Sequence, residues 1–168
     1  MKNLLFVVLI SSNLLLYGCS NEKKPDFIGY IFNVDKKNDN TVVVGIREED
    51  NQATNVLLKP GASTLEIGSK VEVYFTHEGV NSTFPLNAPA KLKEIKTPKT
   101  EKEIIGKLFR YLYEKHGNAY YPSIISITEN ETYWVIKVNE TSTSLDYKKN
   151  VEYRITKGSF DINTVNNQ

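Results

Sequence analysis

The sequence predicts a mainly β protein of the α+β class: a small barrel or sandwich, then one helix and an antiparallel meander. Three observations carry this. Short runs rich in aromatic and β-branched residues recur between Phe27 and Lys96, separated by turn chemistry. One amphipathic stretch, starting at Thr100 and ending near Gly117, has the helical period. Strand patterns then resume after Pro122, so the second half reads as helix followed by sheet.

The first strand is Phe27-Ile28-Gly29-Tyr30-Ile31-Phe32-Asn33-Val34. Asp35 to Asn40 is turn chemistry, because Asn and Asp bond their own backbone and tolerate tight conformations. Thr41 to Ile46 resumes a strand centred on Val42-Val43-Val44, and Arg47 to Gln52 is a charged loop. Val56-Leu57-Leu58 makes a third strand, stopped by Pro60-Gly61. Val71 to Phe75 alternates as a fourth, and Ala90 to Lys96 follows a polar stretch as a fifth. Thr97-Pro98-Lys99-Thr100 breaks this series.

Thr100 and Glu103 have capping-box spacing, which predicts the helix start. Ile104, Ile105, Leu108, Phe109 and Leu112 share one face, with Glu103, Lys107, Arg110 and Glu114 opposite. Glu103 and Lys107 have the favourable i,i+4 order. Gly117 is the expected stop. Ser123 to Thr128, Thr132 to Val138 and Asn150 to Thr156 are the later strands, with Asn130-Glu131 as a hairpin turn. Phe160-Asp161-Ile162 adds an edge.

The N-terminal end reads as an export leader. Lys2 is followed by an apolar run from Leu4 to Leu16. That run is shorter than the roughly 20 residues needed to span a bilayer, as in a cleaved signal peptide. Leu16-Tyr17-Gly18-Cys19 resembles a bacterial lipobox, with Tyr17 bulkier than usual at its position. The resemblance implies cleavage before Cys19 and acylation of its thiol. Two or more acyl chains anchor stably where one does so only marginally. The alternative is an ordinary signal peptide with a bystander cysteine. The expected organisation is a leader over 1–18, a polar tether over 19–26, a β domain over 27–97 and an α+β unit over 98–168.

The first half also resembles a known family. "FIGYIFNV", "TVVV", "IGSKVEVYF" and "FPLNAPAKLKEI" occur in the order seen in the YobA-type domain of unknown function of Bacillus-like lipoproteins. The residues that carry it are Gly29, Ile67-Gly68-Ser69-Lys70-Val71-Glu72-Val73 and Phe84-Pro85, with Phe84 where the family has Tyr. The resemblance spans about Phe27 to Thr97. It implies a small OB-like β-barrel and carries over no catalytic residue.

Composition limits the chemistry. The formal charge is +1, whereas nucleic-acid binders are usually strongly basic, so no nucleic-acid partner is expected. Cys19 is the single cysteine, which excludes an intrachain disulfide and CxxC redox or zinc chemistry. No GxSxG, HExxH, Walker or GxGxxG pattern occurs. His77 lies in a polar turn, and His116 ends the helix, where a cation complements the dipole. Glu48-Glu49-Asp50 lacks the alternation of a calcium loop and reads as solvated. No metal or cofactor is expected. Lys23-Lys24 and Lys36-Lys37 are either headgroup contacts or solvated lysines.

Two sets of residues remain as candidate ligand contacts. Tyr111, Tyr113, Tyr120 and Tyr121 crowd the helix end, with Trp134 downstream. They either stack on a peptide or sugar or cover the sheet as ordinary core and rim. Barrel loops of the OB type would supply Arg47, Tyr74, His77 and Phe84. The leading expectation is therefore a non-catalytic, lipid-anchored binding or accessory module outside the membrane, meeting an envelope protein or small ligand. The alternatives are a surface hydrolase using paired carboxylates and an inhibitor or immunity protein with one envelope partner.

Overall fold

The computed structural model describes residues 23–35, 40–47, 52–58, 65–76, 86–87, 90–117, 119–142 and 147–165. The leader, Cys19, Lys36-Lys37, the Glu48-Glu49-Asp50 run, His77 and Phe84 lie outside the described residues. The chain is mostly β, with two sheets and one helix among those residues.

The first sheet is built from β1 (Phe27–Asp35), β2 (Asn40–Arg47), β3 (Gln52–Leu58), β4 (Lys70–Phe75), β5 (Leu86–Asn87) and β6 (Ala90–Glu94). Its order is β5-β3-β2-β1-β4-β6, antiparallel except for the β3–β5 pair. β5 and β6 are its two ends, and no pairing joins them among the described residues. β3 takes in residues expected to be loop, and β5 falls within the expected polar stretch.

Strong alternation gives this sheet two buried faces. Phe27, Ile31, Val43, Val71, Val73 and Phe75 form one apolar cluster. Tyr30, Phe32 and Val44 point the other way, into a second and larger cluster. β1 carries a bulge between Ile31 and Asn33, which bends the strand at Phe32.

The helix α1 (Lys99–His116) lies on that second face. Ile104, Ile105, Leu108, Phe109 and Leu112 are all buried, as their spacing predicts. Phe109 meets Phe32 edge-on, with ring centroids 5.2 Å apart at 85°. The expected capping box does not form. Pro98 is the N-cap, no side chain caps the helix, and the Lys102 N–H donates to the Pro98 carbonyl at 3.2 Å. Proline's fixed φ presets this start, and the cap falls two residues ahead of the Thr100 signal. Gly117 ends the helix with φ 75°, its N–H donating to the Tyr113 carbonyl at 2.8 Å. Glu103 and Lys107 make their i,i+4 pair at 4.0 Å.

The second sheet has the order β10-β9-β8-β7 and is antiparallel throughout. Its strands are β7 (Tyr120–Glu129), β8 (Tyr133–Ser142), β9 (Tyr147–Thr156) and β10 (Ile162–Val165). β7 runs through Pro122, which an edge strand tolerates because one row of its N–H groups needs no ladder partner. One core joins the two sheets through the helix. Tyr30, Phe32 and Val44 share a cluster with the buried helix face and with Ile136, Val138, Tyr153 and Ile155. The buried Ser123 hydroxyl on β7 donates to the Gly45 carbonyl on β2 at 3.1 Å.

The helix is also tied to the segment before β4 by close backbone approach. A Cβ on Gly68, at φ 90°, would stand 2.3 Å from the Lys102 carbonyl oxygen. Lys102 pairs with Glu66 at 2.9 Å and Glu94 at 3.6 Å. The Tyr30 hydroxyl donates to Glu101 at 3.0 Å. Burial, reinforced by Glu101, holds that hydroxyl far above its ordinary pKa.

Candidate functional site

The C-terminal end of α1 overhangs β8 and β9, and a cavity of about 450 Å³ opens there. The strand period brings one carboxylate to its floor. Along β8, Ile136, Val138, Glu140 and Ser142 alternate onto the buried face. Glu140 therefore projects into the core and is 2 % exposed, yet it borders the cavity. Lys149 stands directly across from it on β9, so both side chains leave the same face of the sheet. Lys149 and Lys115 are exposed and line the mouth.

Glu140 is held by its neighbours. The Tyr153 hydroxyl donates to Glu140 Oε1, and both residues are buried. Tyr120, equally buried, is the partner of Ser142 across the β7–β8 ladder and projects onto the same face. Its hydroxyl lies near Glu140 and Tyr153, but no acceptor meets it with hydrogen-bond geometry. His116 closes the group by stacking on Tyr120, centroids 4.2 Å apart at 17°.

Burial moves the tyrosine hydroxyls and the histidine in opposite directions. Burial raises the hydroxyls of Tyr120 and Tyr153 far above the phenol range, and Glu140 adds to the effect on each. Partial burial lowers His116 below the ordinary imidazole value, with Lys115 acting in the same direction and Glu140 against it. The shift runs against the helix-end cation its position predicts, because desolvation disfavours the charged imidazole and outweighs the attraction of Glu140.

A second carboxylate, Glu152, borders the cavity from the other side of the sheet. It lies opposite Lys137 in the ladder and pairs with it at 3.8 Å, out of phase with Glu140 and Tyr153. The two carboxylates project from opposite faces.

The tyrosines picked out in the sequence separate here. Tyr120 belongs to the core under His116, and Tyr111 is half-buried with its ring edge-on to Tyr153 at 6.5 Å. Tyr121 is half-buried against the same core, and burial raises its hydroxyl. Tyr74 lines a separate groove with Lys23, Lys91 and Lys93, and its hydroxyl donates to Glu72 at 2.8 Å. Arg47 closes β2 opposite Gln52. Thus Tyr111 and Tyr120 pack beside the Glu140–Tyr153 pair, Tyr121 leaves the opposite face of the sheet across from Thr141, and Tyr74 does not join them.

Sequence reasoning missed Glu140, Tyr153 and Lys149. The signal was present in Trp134, Ile136, Val138 and Glu140, an alternation that puts a carboxylate in phase with three apolar residues. Ending the strand at Val138 hid it. Among the described residues no group of three or more His, Cys, Asp or Glu is placed to hold a metal ion. No family model, curated protein or solved structure matches the chain.

Proposed function

We propose that this protein is a lipid-anchored binding module on the outer face of the cell membrane, and that the cavity under the end of α1 is its ligand seat. The observation that carries the seat is Glu140, a carboxyl group 2 % exposed that nevertheless borders a cavity of about 450 Å³. Burying an ionisable group is costly, so a buried carboxyl that borders a cavity is a candidate functional group. The volume falls in the range of small-molecule sites, about 300–1,000 Å³. The location rests on the Leu16-Tyr17-Gly18-Cys19 pattern and the polar tether behind it. Attachment is assigned to Cys19 on that same pattern, and no described helix is long and apolar enough to cross a membrane.

Two features favour binding over hydrolysis. The hydroxyls of Tyr120 and Tyr153 are pushed far above the phenol range and His116 is pushed below the imidazole range, so each moves away from the neutral pH at which a proton-transfer group works best. Glu140 and Glu152 leave opposite sheet faces, whereas paired-carboxylate hydrolysis needs two carboxyls converging on one bond.

Two measurements on cells test the reading. Mass spectrometry of the N-terminal peptide should find an acylated Cys19, and Cys19→Ala should leave the chain unprocessed or released. A Cys19→Ala chain that is still cut and still membrane-bound would end the anchoring proposal. Lysine footprinting should show Lys115 and Lys149 less reactive in native membranes than in the purified chain, with Lys96 unchanged. Equal reactivity of all three in both preparations would argue against an occupied seat.

A further inference from the structure

We propose that this cavity takes a small zwitterion, a free amino acid or dipeptide, with its ammonium group directed down to Glu140 and its carboxylate held at the mouth by Lys115 and Lys149. The inference rests on the seat proposed above and names its ligand class.

The charges in the cavity are ordered by depth. The negative group, Glu140, is buried at the floor, and the two positive groups are exposed at the rim. Glu140 and Lys149 face each other across the β8–β9 ladder, where opposed Cβ atoms stand about 4.5–5.5 Å apart. Opposite charges thus leave the same sheet face from facing positions, one buried and one exposed. A simple anion small enough to enter meets Glu140 below it. A simple cation must first pass Lys115 and Lys149. A molecule with both charges, ammonium first, meets a complementary group at each depth.

The remaining lining fits the same ligand. An ammonium carried out of water needs a charged partner and further acceptors to offset its lost hydration. Glu140 is such a partner, and the oxygen of Tyr153, whose proton is committed to Glu140, accepts beside it. Val151 also lines the cavity and offers apolar surface for an aliphatic side chain. Glu152 does not compete for the ammonium at the floor, because it leaves the opposite face and pairs with Lys137.

The test is calorimetric titration of the detergent-solubilised full chain. The probes are the common free amino acids and alanyl dipeptides, with inorganic phosphate and maltotriose as purely anionic and uncharged controls. The tightest zwitterion is then compared with its N-acetyl and C-terminal amide forms. Each capped form should bind about tenfold or more weakly, and the controls should not bind. Lys149→Met, a change at an exposed position, should weaken the parent ligand about tenfold and leave the amide form unaffected. Glu140→Gln should weaken the parent and leave the N-acetyl form unaffected. If that variant does not fold, the Lys149→Met comparison decides alone. Capped forms that bind as well as the parent would overturn the proposal, as would Lys149→Met weakening the parent and the amide equally. Phosphate or maltotriose bound in place of any zwitterion, and lost in Lys149→Met, would overturn the ligand class and leave the cavity as a binding seat. Silence from every probe would overturn the ligand class, and footprinting in native membranes would then judge the seat separately.

Discussion

The hydroxyl of Tyr153 on β9 donates to the carboxyl group of Glu140 on β8, and each residue is only 2 % exposed. A buried acid and its donor thus sit where the apolar core of the second sheet meets the cavity. This pairing joins stability to the proposed site, because loss of either partner removes a hydrogen bond at the edge of the core.

Tyr153→Phe removes the donor and keeps the ring. Stranding a buried polar partner costs about 1–3 kcal/mol. The variant should lose stability in that range by urea denaturation. No measurable change would mean that Glu140 does not depend on this bond.

Leu108→Ala tests the shared core. Leu108 is fully buried between the two sheets, so truncation should cost about 2–5 kcal/mol. Because one cluster holds residues of both sheets, Trp134 fluorescence and far-UV circular dichroism should report coincident unfolding midpoints. Separated midpoints would show two independently folding halves.

Gly68→Ala should destabilise more than Gly106→Ala. At Gly68 the φ of 90° is strained for any side chain, and the new Cβ would meet the Lys102 carbonyl oxygen at 2.3 Å. Backbone strain of this kind costs about 1–3 kcal/mol before the clash is added. At Gly106 the Cβ would approach the Ile67 carbonyl oxygen at 2.9 Å, and alanine's helix preference, about 1 kcal/mol, works the other way. Thermal melts of the two variants would rank them.

The pH dependence has two limbs with opposite causes. His116 has a folded pKa below its unfolded value of about 6.5, so the unfolded chain binds the proton more readily. Its contribution is complete above pH 6.5 and is lost as pH falls toward the folded pKa. Tyr30, Tyr120 and Tyr153 have raised folded pKa values, so their contribution is complete below about pH 10 and is lost as pH rises beyond it. His116→Gln should make the acid limb shallower between about pH 6.5 and the carboxylate range, where Glu66 and Glu72 take over, and Tyr153→Phe should reduce the alkaline limb. Chemical denaturation from pH 4 to pH 11, taken here as about the accessible range, would separate them. An unchanged acid limb in His116→Gln would contradict the assignment.

Local pattern revealed much of the architecture. The helix face from Ile104 to Leu112 and the alternation of β4 could be read because burial repeats with the element's own period. The helix start was misplaced because Thr100 and Glu103 offer a side-chain cap that the fixed backbone of Pro98 makes unnecessary. The site was hidden for a different reason. A glutamate on the core face of a strand looks like the end of that strand until its partners are known. Those partners, Tyr120 and Tyr153, come from two other strands. The single core was also beyond local pattern, since Ser123 reaches Gly45 across 78 positions of sequence.

The most direct test is native mass spectrometry of the full chain extracted from its own membranes, with Lys149→Met as the comparison. The wild type should carry a small-molecule adduct beyond its N-terminal lipid, and the exposed-site variant should lose that adduct while keeping the lipid. An adduct of equal occupancy on both chains, or a wild type bearing only its lipid, would contradict a ligand seat at Glu140 and Lys149.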